Sequence, residues 1–526
     1  MKTRPLTIHL PDGSISTIEG QTTEGQTSLA DFLEQHDYSL NTRCGGRGLC
    51  RGCQVTCTTS DGSETFRSCQ TPLSALPDAP LSIEIPNRSW HNQTLYGVSF
   101  FDIRLPILPE ARITRQSLVL AVDIGTTTLA GALWDLSSGQ CLAHASIANP
   151  QRKYGDNVLS RISFSIDHTN GMEKLQRTLI DEGLNPLIRT LARQADRPAK
   201  SIEAATLAGN PVMLHTLLGF SLKGLSTYPF KPEFLSARSL SSSEIGLQPE
   251  LTLQLLPSLG PFVGADIVAG ALASGTLAVK GSILLIDFGT NGEILLKHEG
   301  RYFATATAAG PAFEGGRLSC GASARAGVIS SLERSEAGWS YNLCEGSATT
   351  PTGISGAAYI DFLAIGLDCG LLNPFGRFDR SHPDVTTHRV DDEIEHIVRL
   401  SPELWISEPD VAEILQAKAA IGAGVLVLLE LAGIAAEDLE TVFVAGGFGY
   451  HLHPDHAIAI GLLPPVPRKR VEVIGNAALG GASLSLQADF SQQIKSLIEN
   501  CQIVELNQVP SFSDYYTDAL LLEEIE

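Results

Sequence analysis

Val122-Asp123-Ile124-Gly125-Thr126-Thr127-Thr128 and Ile286-Asp287-Phe288-Gly289-Thr290-Asn291-Gly292-Glu293 are two versions of one phrase in a chain of 526 residues. Each follows a short apolar run, residues 118–122 and 283–286, of the kind a buried strand needs. Each is followed by two more strand-like segments: 129–134 and 141–147 after the first, 292–297 and 302–307 after the second. An aspartate at a strand end can hold Mg²⁺ through water, while Gly and Thr offer N–H and O–H groups to phosphate. One such phrase alone reads equally well as a hairpin turn. Here both meanders run on into helical patterns, 172–195 and 409–432, and then a further strand, 204–208 and 442–445. Two β-β-β-α-β halves predict a duplicated α/β fold with a cleft between them.

The last of these strands ends in Val444-Ala445-Gly446-Gly447-Phe448-Gly449, where adjacent glycines leave bare backbone for a nucleoside to lie against. Together the three motifs resemble the superfamily of acetate and sugar kinases, heat-shock chaperones and actin. That resemblance covers most of residues 117–526 and implies two RNase-H-like lobes with ATP and Mg²⁺ in the cleft. It implies catalytic roles for Asp123 and Asp287 beside the metal and phosphates. It places Gly125, Thr126, Thr127, Gly289, Thr290 and Asn291 on the phosphates, and Gly446 and Gly447 on the adenosine. The helix bearing Gln416, Lys418 and Gly422 either lines the nucleoside pocket, with Lys418 as a contact, or only packs.

Five of the ten cysteines fall between Cys44 and Cys69. Cys44-Gly-Gly-Arg-Gly-Leu-Cys50-Arg-Gly-Cys53 sets three thiolates close together in a Gly-rich loop, and Cys69 follows in Arg67-Ser68-Cys69-Gln70. Thiolates are soft ligands for iron–sulfur clusters or zinc. Zinc ribbons pair two C-x2-C knuckles, and only one is present here. A structural zinc site, thiols without metal, and Cys57 in place of Cys69 stay open as alternatives. Around the loop, residues 7–10 and 14–18 read as a hairpin across Pro11-Asp12-Gly13. Ser28 reads as the cap of a helix over 29–35, and 54–58 and 82–85 as strands. Residues 1–85 resemble the plant- and adrenodoxin-type [2Fe–2S] ferredoxins, with a β-grasp fold. This implies that Cys44, Cys50, Cys53 and Cys69 hold the cluster, although fifteen residues separate Cys53 from Cys69, fewer than in most relatives.

The expected organisation is therefore multidomain α/β: a [2Fe–2S] ferredoxin-like domain at 1–85, a linker at 86–116 with an apolar patch at Phe100 and Phe101, a first ATPase lobe at 117–280 and a second at 281–526. The whole chain resembles the reductive activators of corrinoid-dependent methyltransferase systems. Gly209-Asn210-Pro211-Val212-Met213, Val263-Gly264-Ala265-Asp266, Gly353-Ile354-Ser355-Gly356 and residues 308–316, Ala-Ala-Gly-Pro-Ala-Phe-Glu-Gly-Gly, carry the match. The resemblance implies an ATP-hydrolysing activase that passes one electron from the cluster to Co(II) of a corrinoid protein and regenerates Co(I) for methyl transfer. It also implies a low-potential donor such as a flavoprotein or ferredoxin, and a homodimer. Residues 308–316 are a candidate coupling loop. Competing functions are a small-molecule kinase of the acetate/sugar kinase superfamily, which needs no cysteine cluster, and an ATP-linked iron–sulfur redox sensor.

Composition fits a cytoplasmic enzyme of this kind. The formal net charge of −21 opposes binding to nucleic acid or anionic lipid. No run approaches 18 consecutive apolar residues, and the N-terminus has neither the basic flank nor the apolar stretch of a signal peptide. His451, His453 and His456 form a cluster that reads either as a metal site or as a loop with incidental histidines.

Overall fold

A computed structural model describes residues 3–10, 14–21, 27–36, 38, 40, 53–60, 62–77, 80–86, 89, 118–344, 350–390, 393–447, 451–486 and 489–525. The expected turn at residues 11–13, Cys44, Cys50 and their glycines, nearly all of the 86–116 linker with Phe100 and Phe101, and Phe448 and Gly449 lie outside the described residues.

The first sheet has five strands: β1 (Thr3–His9), β2 (Ile15–Gln21), β3 (Gln54–Thr59), β4 (Gly62–Arg67) and β5 (Leu81–Glu84), in the order β2-β1-β5-β3-β4. β1 pairs antiparallel with β2 and parallel with β5, and β5 pairs antiparallel with β3. Helix α1 (Leu29–Glu34) starts at Ser28, whose hydroxyl accepts from Asp31 N at 3.1 Å, as an N-cap should. Leu29 and Leu33 of α1 share a core with Leu6, Ile8, Val55 and Ile83 of the sheet.

The second sheet has the order β10-β11-β9-β6-β7-β8. Its strands are β6 (Leu118–Ile124), β7 (Thr128–Asp135), β8 (Gln140–Ala148), β9 (Ile202–Gly209), β10 (Arg238–Ser241) and β11 (Thr252–Leu255). Helices α2 (Val158–Asp167), α3 (Gly171–Arg177), α4 (Asn185–Gln194), α5 (Pro211–Leu218) and α6 (Ala265–Ala273) belong to this half. The helical stretch expected at 172–195 is α3 and α4 joined by a π-helical turn at Thr178–Leu184.

Five strands of the third sheet follow the order of the second, and its sixth lies on the opposite edge. It is built from β12 (Ile283–Phe288), β13 (Gly292–His298) and β14 (Arg301–Thr307), joined by β21 (Thr441–Ala445), β22 (Val471–Gly475) and β23 (Cys501–Ile503) in the order β22-β21-β12-β13-β14-β23. In both sheets the strand ending in the Asp phrase is central, antiparallel to its successor on one side and parallel to a later strand on the other. β6 and β12 are buried along nearly their whole length, which explains runs of apolar residues without alternation.

Between β14 and β21 lie two small sheets: β15 (Val328–Ser335), β16 (Gly338–Leu343) and β17 (Gly353–Ile354), then β18 (Val385–Val390), β19 (Glu393–Arg399) and β20 (Trp405–Ser407). Helix α7 (Gly356–Asp368) follows β17 and α8 (Glu408–Ala432) follows β20. The α8 start is a capping box in which Ser407 and Asp410 bond to each other's backbone. By length and composition α8 could cross a membrane, but 78% of its most apolar window is buried inside the fold, among the side chains of the largest core. Helices α9 (Pro454–Ala459), α10 (Ala477–Ser485), α11 (Ser491–Glu499) and α12 (Phe512–Asp518) complete the chain. α10 follows β22 in sequence, yet packs on α6 and β6 of the other half, where Trp134 Nε1 donates to Ser483 Oγ at 3.0 Å. The two halves are thus tied by a helix that crosses between them.

Candidate nucleotide cleft and cysteine site

The turns after β6 and β12 face each other across one cavity. Asp123, Gly125, Thr126, Thr127, Asp287, Gly289, Thr290, Asn291, Gly446 and Gly447 all line it. The first turn needs its glycine: Gly125 N donates to Thr128 O at 3.0 Å, and a Cβ on Gly125 would lie 2.5 Å from that oxygen. The turn is braced from behind. Asn149 Nδ2 donates to Gly125 O at 2.9 Å, and Asn210 Nδ2 to Thr126 Oγ1 at 2.9 Å. Arg161, fully buried on α2, donates to Thr126 O, to Gly155 O and to Gln151 Oε1. Burial pulls its guanidinium down to about 9. Neither Arg161 nor Asn149 was legible in the sequence, because nothing local marks a side chain that reaches a loop as far as 35 residues away.

Gly446 ends β21 in the left-handed region at φ 95°, and a Cβ there would lie 2.3 Å from Phe288 O. Gly447 is different: a Cβ at that position would meet nothing within 4 Å. The first glycine seats the turn against the end of β12, and the second leaves open space beside it.

The hydroxyls of Thr127 and Thr290 meet across the cleft at 2.7 Å, and Thr290 Oγ1 donates to Glu314 Oε2 at 2.9 Å. Glu314 closes the 3-10 turn Pro311–Glu314. Asp266 comes from the first turn of α6, and Glu293 from β13. Five carboxylates therefore converge: Asp123, Asp266, Asp287, Glu293 and Glu314. Burial raises all five. Asp123 is pushed up to about 7 and Asp266 to about 6. Asp287 and Glu293 stand well above the usual range, and Glu314 above it. Repulsion adds to burial: Asp266, Asp123 and Glu314 act on Asp287, and Asp266 and Glu314 on Asp123. Asn476 Nδ2, at the N-cap of α10, opposes this at Asp123 by donating to Oδ2 at 2.9 Å. Asp266 and Glu314 stand in segments that carried the family match, but only the folded chain brings them beside Asp123 and Asp287.

Lys418, expected as a nucleoside contact, stands elsewhere. It is buried within α8, its Nζ donates to Leu521 O at 2.6 Å, and it does not line the cavity. The face of α8 that carries it turns to the C-terminal segment, and Gly422 on the same helix packs near Ala519 and Ile525. Lys418 and Gly422 therefore make packing contacts, while Gln416 is exposed.

Among the predicted cluster cysteines, Cys53 and Cys69 are described. β3 and β4 pair with Gln54 opposite Arg67, and beyond that pair Ser68 N and Oγ both donate to Cys53 O, at 3.3 and 2.6 Å. The hairpin therefore returns Cys69 to the Cys53 end. Cys57 pairs with Glu64 and Ile83 instead, buried in the sheet core. Four residues of strand put it roughly 13 Å from Cys53. Among the described residues no group of three or more His, Cys, Asp or Glu is arranged to hold a metal ion. His456 Nδ1 lies 2.7 Å from buried Asp361 Oδ1 and its ring stacks on His453, a packing arrangement. His451 Nε2 is 3.8 Å from Cys344 Sγ.

Comparison with known proteins matches residues 118–277 to the RACo middle region and 281–526 to the C-terminal domain of RACo, the ASKHA domain. The chain is 32% identical over 413 residues to the corrinoid activation enzyme RamQ of Eubacterium limosum, covering 76% of this chain and 69% of the relative. It is 26% identical over 392 residues to the [Co(II) methylated amine-specific corrinoid protein] reductase of Methanosarcina barkeri, covering 68% of each. A solved structure of a reductive activator for corrinoid, iron–sulfur protein aligns over 99% of both chains with a TM-score of 0.73 and 26% identity. Two facing turns on related sheets, a crossing helix and these relatives agree: the chain belongs to the RACo family of corrinoid-protein reductive activators.

Proposed function

We propose that this protein is an ATP-hydrolysing activase that delivers one electron from an N-terminal [2Fe–2S] cluster to Co(II) of a corrinoid protein, restoring Co(I). The observation that carries the nucleotide half is the cleft. Five clustered carboxylates and two threonine-bearing turns face one cavity, beside a glycine with open space. Such a cluster of like charges is relieved by a cation, and Asp123 and Asp287 are the residues that would hold Mg²⁺. Thr126, Thr127, Thr290 and Asn291 would bind phosphates, and Gly447 would face the nucleoside. The five-strand order common to both sheets supports two RNase-H-like lobes, at 117–280 and 281–526, with α10 returning to the first.

For the redox half, the strand order β2-β1-β5-β3-β4 supports a β-grasp ferredoxin-like domain at 1–85. The donor set fits: Cys53 and Cys69 stand at one end of the β3–β4 hairpin, and the Cys44–Cys53 loop supplies soft thiolates. Cys44, Cys50, Cys53 and Cys69 would hold the cluster, with Cys57 as a core residue. A plant-type [2Fe–2S] cluster supplies single electrons near about −400 mV. For a one-electron step, each ~59 mV of deficit costs a factor of ten in equilibrium. ATP can offset that only by binding one conformation better than another. The lobes and the crossing α10 supply an element that can close. The corrinoid protein, a low-potential donor and a second copy are the partners this role requires or its family implies.

The test is direct. Iron-replete protein is mixed with a Co(II) corrinoid protein, a reductant and Mg-ATP, and the cobalt spectrum is followed. Co(I) should form with ATP and not without it. Absence of Co(I) alongside phosphorylation of a metabolite would replace this function with a kinase.

A further inference from the structure

Thr127, Thr290 and Glu314 form one hydrogen-bonded group across the cleft. A hydroxyl has one proton to donate. Thr290 donates to Glu314 Oε2 at 2.9 Å, and the Thr127 hydroxyl, 2.7 Å from Thr290 Oγ1, bonds to Glu314 as well. Both protons are then committed. A phosphate oxygen is an acceptor, as a carboxylate is, so a phosphate bound at both turns competes with Glu314 for the same protons. Glu314 is also not free to drift. Phe313, next to it, stacks edge-on against Phe288 at the second turn, with ring centroids 5.5 Å apart. A Cβ on Gly356, at the start of α7, would lie 2.0 Å from Phe313 O, so α7 begins directly on this turn.

We propose that Glu314 is a positioning residue for both phosphate turns. It holds their hydroxyls in a group that the terminal phosphate of ATP must displace, so that ATP, and not ADP, releases the 310–316 turn against α7. This rests on the ATP-binding function proposed above and adds how the cleft tells the two nucleotides apart. ADP leaves the group intact. ATP takes the Thr127 and Thr290 protons, and Glu314 loses its tie to the first lobe.

Calorimetric titration of the full chain with Mg-ADP and with Mg-AMPPNP tests it, using Glu314→Gln alone and in Thr290→Val and Thr290→Ser backgrounds. A neutral amide competes less well for the Thr290 proton. Glu314→Gln should tighten AMPPNP about tenfold, about 1.4 kcal/mol, and leave ADP within about twofold. The gain should shrink in Thr290→Val and persist in full in Thr290→Ser, because only the latter keeps the hydroxyl. In the unaltered protein, amide exchange over residues 308–316 should rise with AMPPNP and not with ADP. Looser AMPPNP binding would make Glu314 a metal or phosphate-side contact and overturn the proposal. Equal changes for both nucleotides, a gain undiminished in Thr290→Val, or equal exchange with both nucleotides would also overturn it. If the unaltered protein binds neither nucleotide, the proposed ATP function fails and this inference with it.

Discussion

Replacing Lys418 with methionine separates the two roles the sequence allowed for it. The lysine is buried, its amine held down to about 7 from 10.5, chiefly by burial and in opposition to Glu523. Below pH 7 both folded and unfolded chains carry the proton, and the folded chain bears the full cost of a buried charge, on the order of 4–5 kcal/mol. Between pH 7 and 10.5 the unfolded chain binds more protons, so this group's penalty shrinks by about 1.4 kcal/mol per pH unit and stability rises. Above 10.5 the penalty is gone. Lys418→Met removes the titration but leaves Leu521 O without its donor, a loss of about 1–3 kcal/mol. The variant should therefore be more stable than the parent by roughly 2 kcal/mol at pH 7, and level with it near pH 9. Urea unfolding at several pH values, followed by tryptophan fluorescence, measures the difference. Nucleotide affinity should stay within about twofold, because Lys418 does not line the cavity. A tenfold loss, about 1.4 kcal/mol, would return Lys418 to the nucleoside pocket and refute the assignment.

Three further outcomes follow from the geometry. Asn476→Asp keeps an oxygen to cap α10 but swaps a donor for a like charge beside Asp123, already raised to about 7. The acid limb of kcat/KM for ATP, which rises as Asp123 ionises, should move to higher pH, and an unmoved limb would remove Asp123 from that limb. Gly446→Ala should lower Tm, since its Cβ would strike Phe288 O at a left-handed φ, a strain of about 1–3 kcal/mol; Gly447→Ala should leave Tm alone and weaken only nucleotide binding. Anaerobic iron and sulfide analysis should find the cluster retained in Cys57→Ser and lost in Cys69→Ser; the reverse result would exchange their roles.

Sequence alone determined the parts of this protein that local chemistry writes. Strands that are buried on both faces read as continuous apolar runs, so β6 and β12 were plain, and the turns at Gly125 and Gly289 were plain because few residue types make them. The cap at Ser28 and the hairpin of β1 and β2 were legible for the same reason. The two small sheets between β14 and β21 were not, since short strands with mixed burial give little period.

Only tertiary structure decided which distant side chains serve the cleft. Asn476 reaches Asp123 across 353 positions, Thr290 meets Thr127 across 163, and Arg161 braces Thr126 from within a helix. It also moved Lys418 out of the pocket by turning its face of α8 to the C-terminal segment. Motifs persist in sequence because backbone conformation constrains neighbouring residues; a hydrogen bond between lobes constrains only two positions, whose proximity is a property of packing.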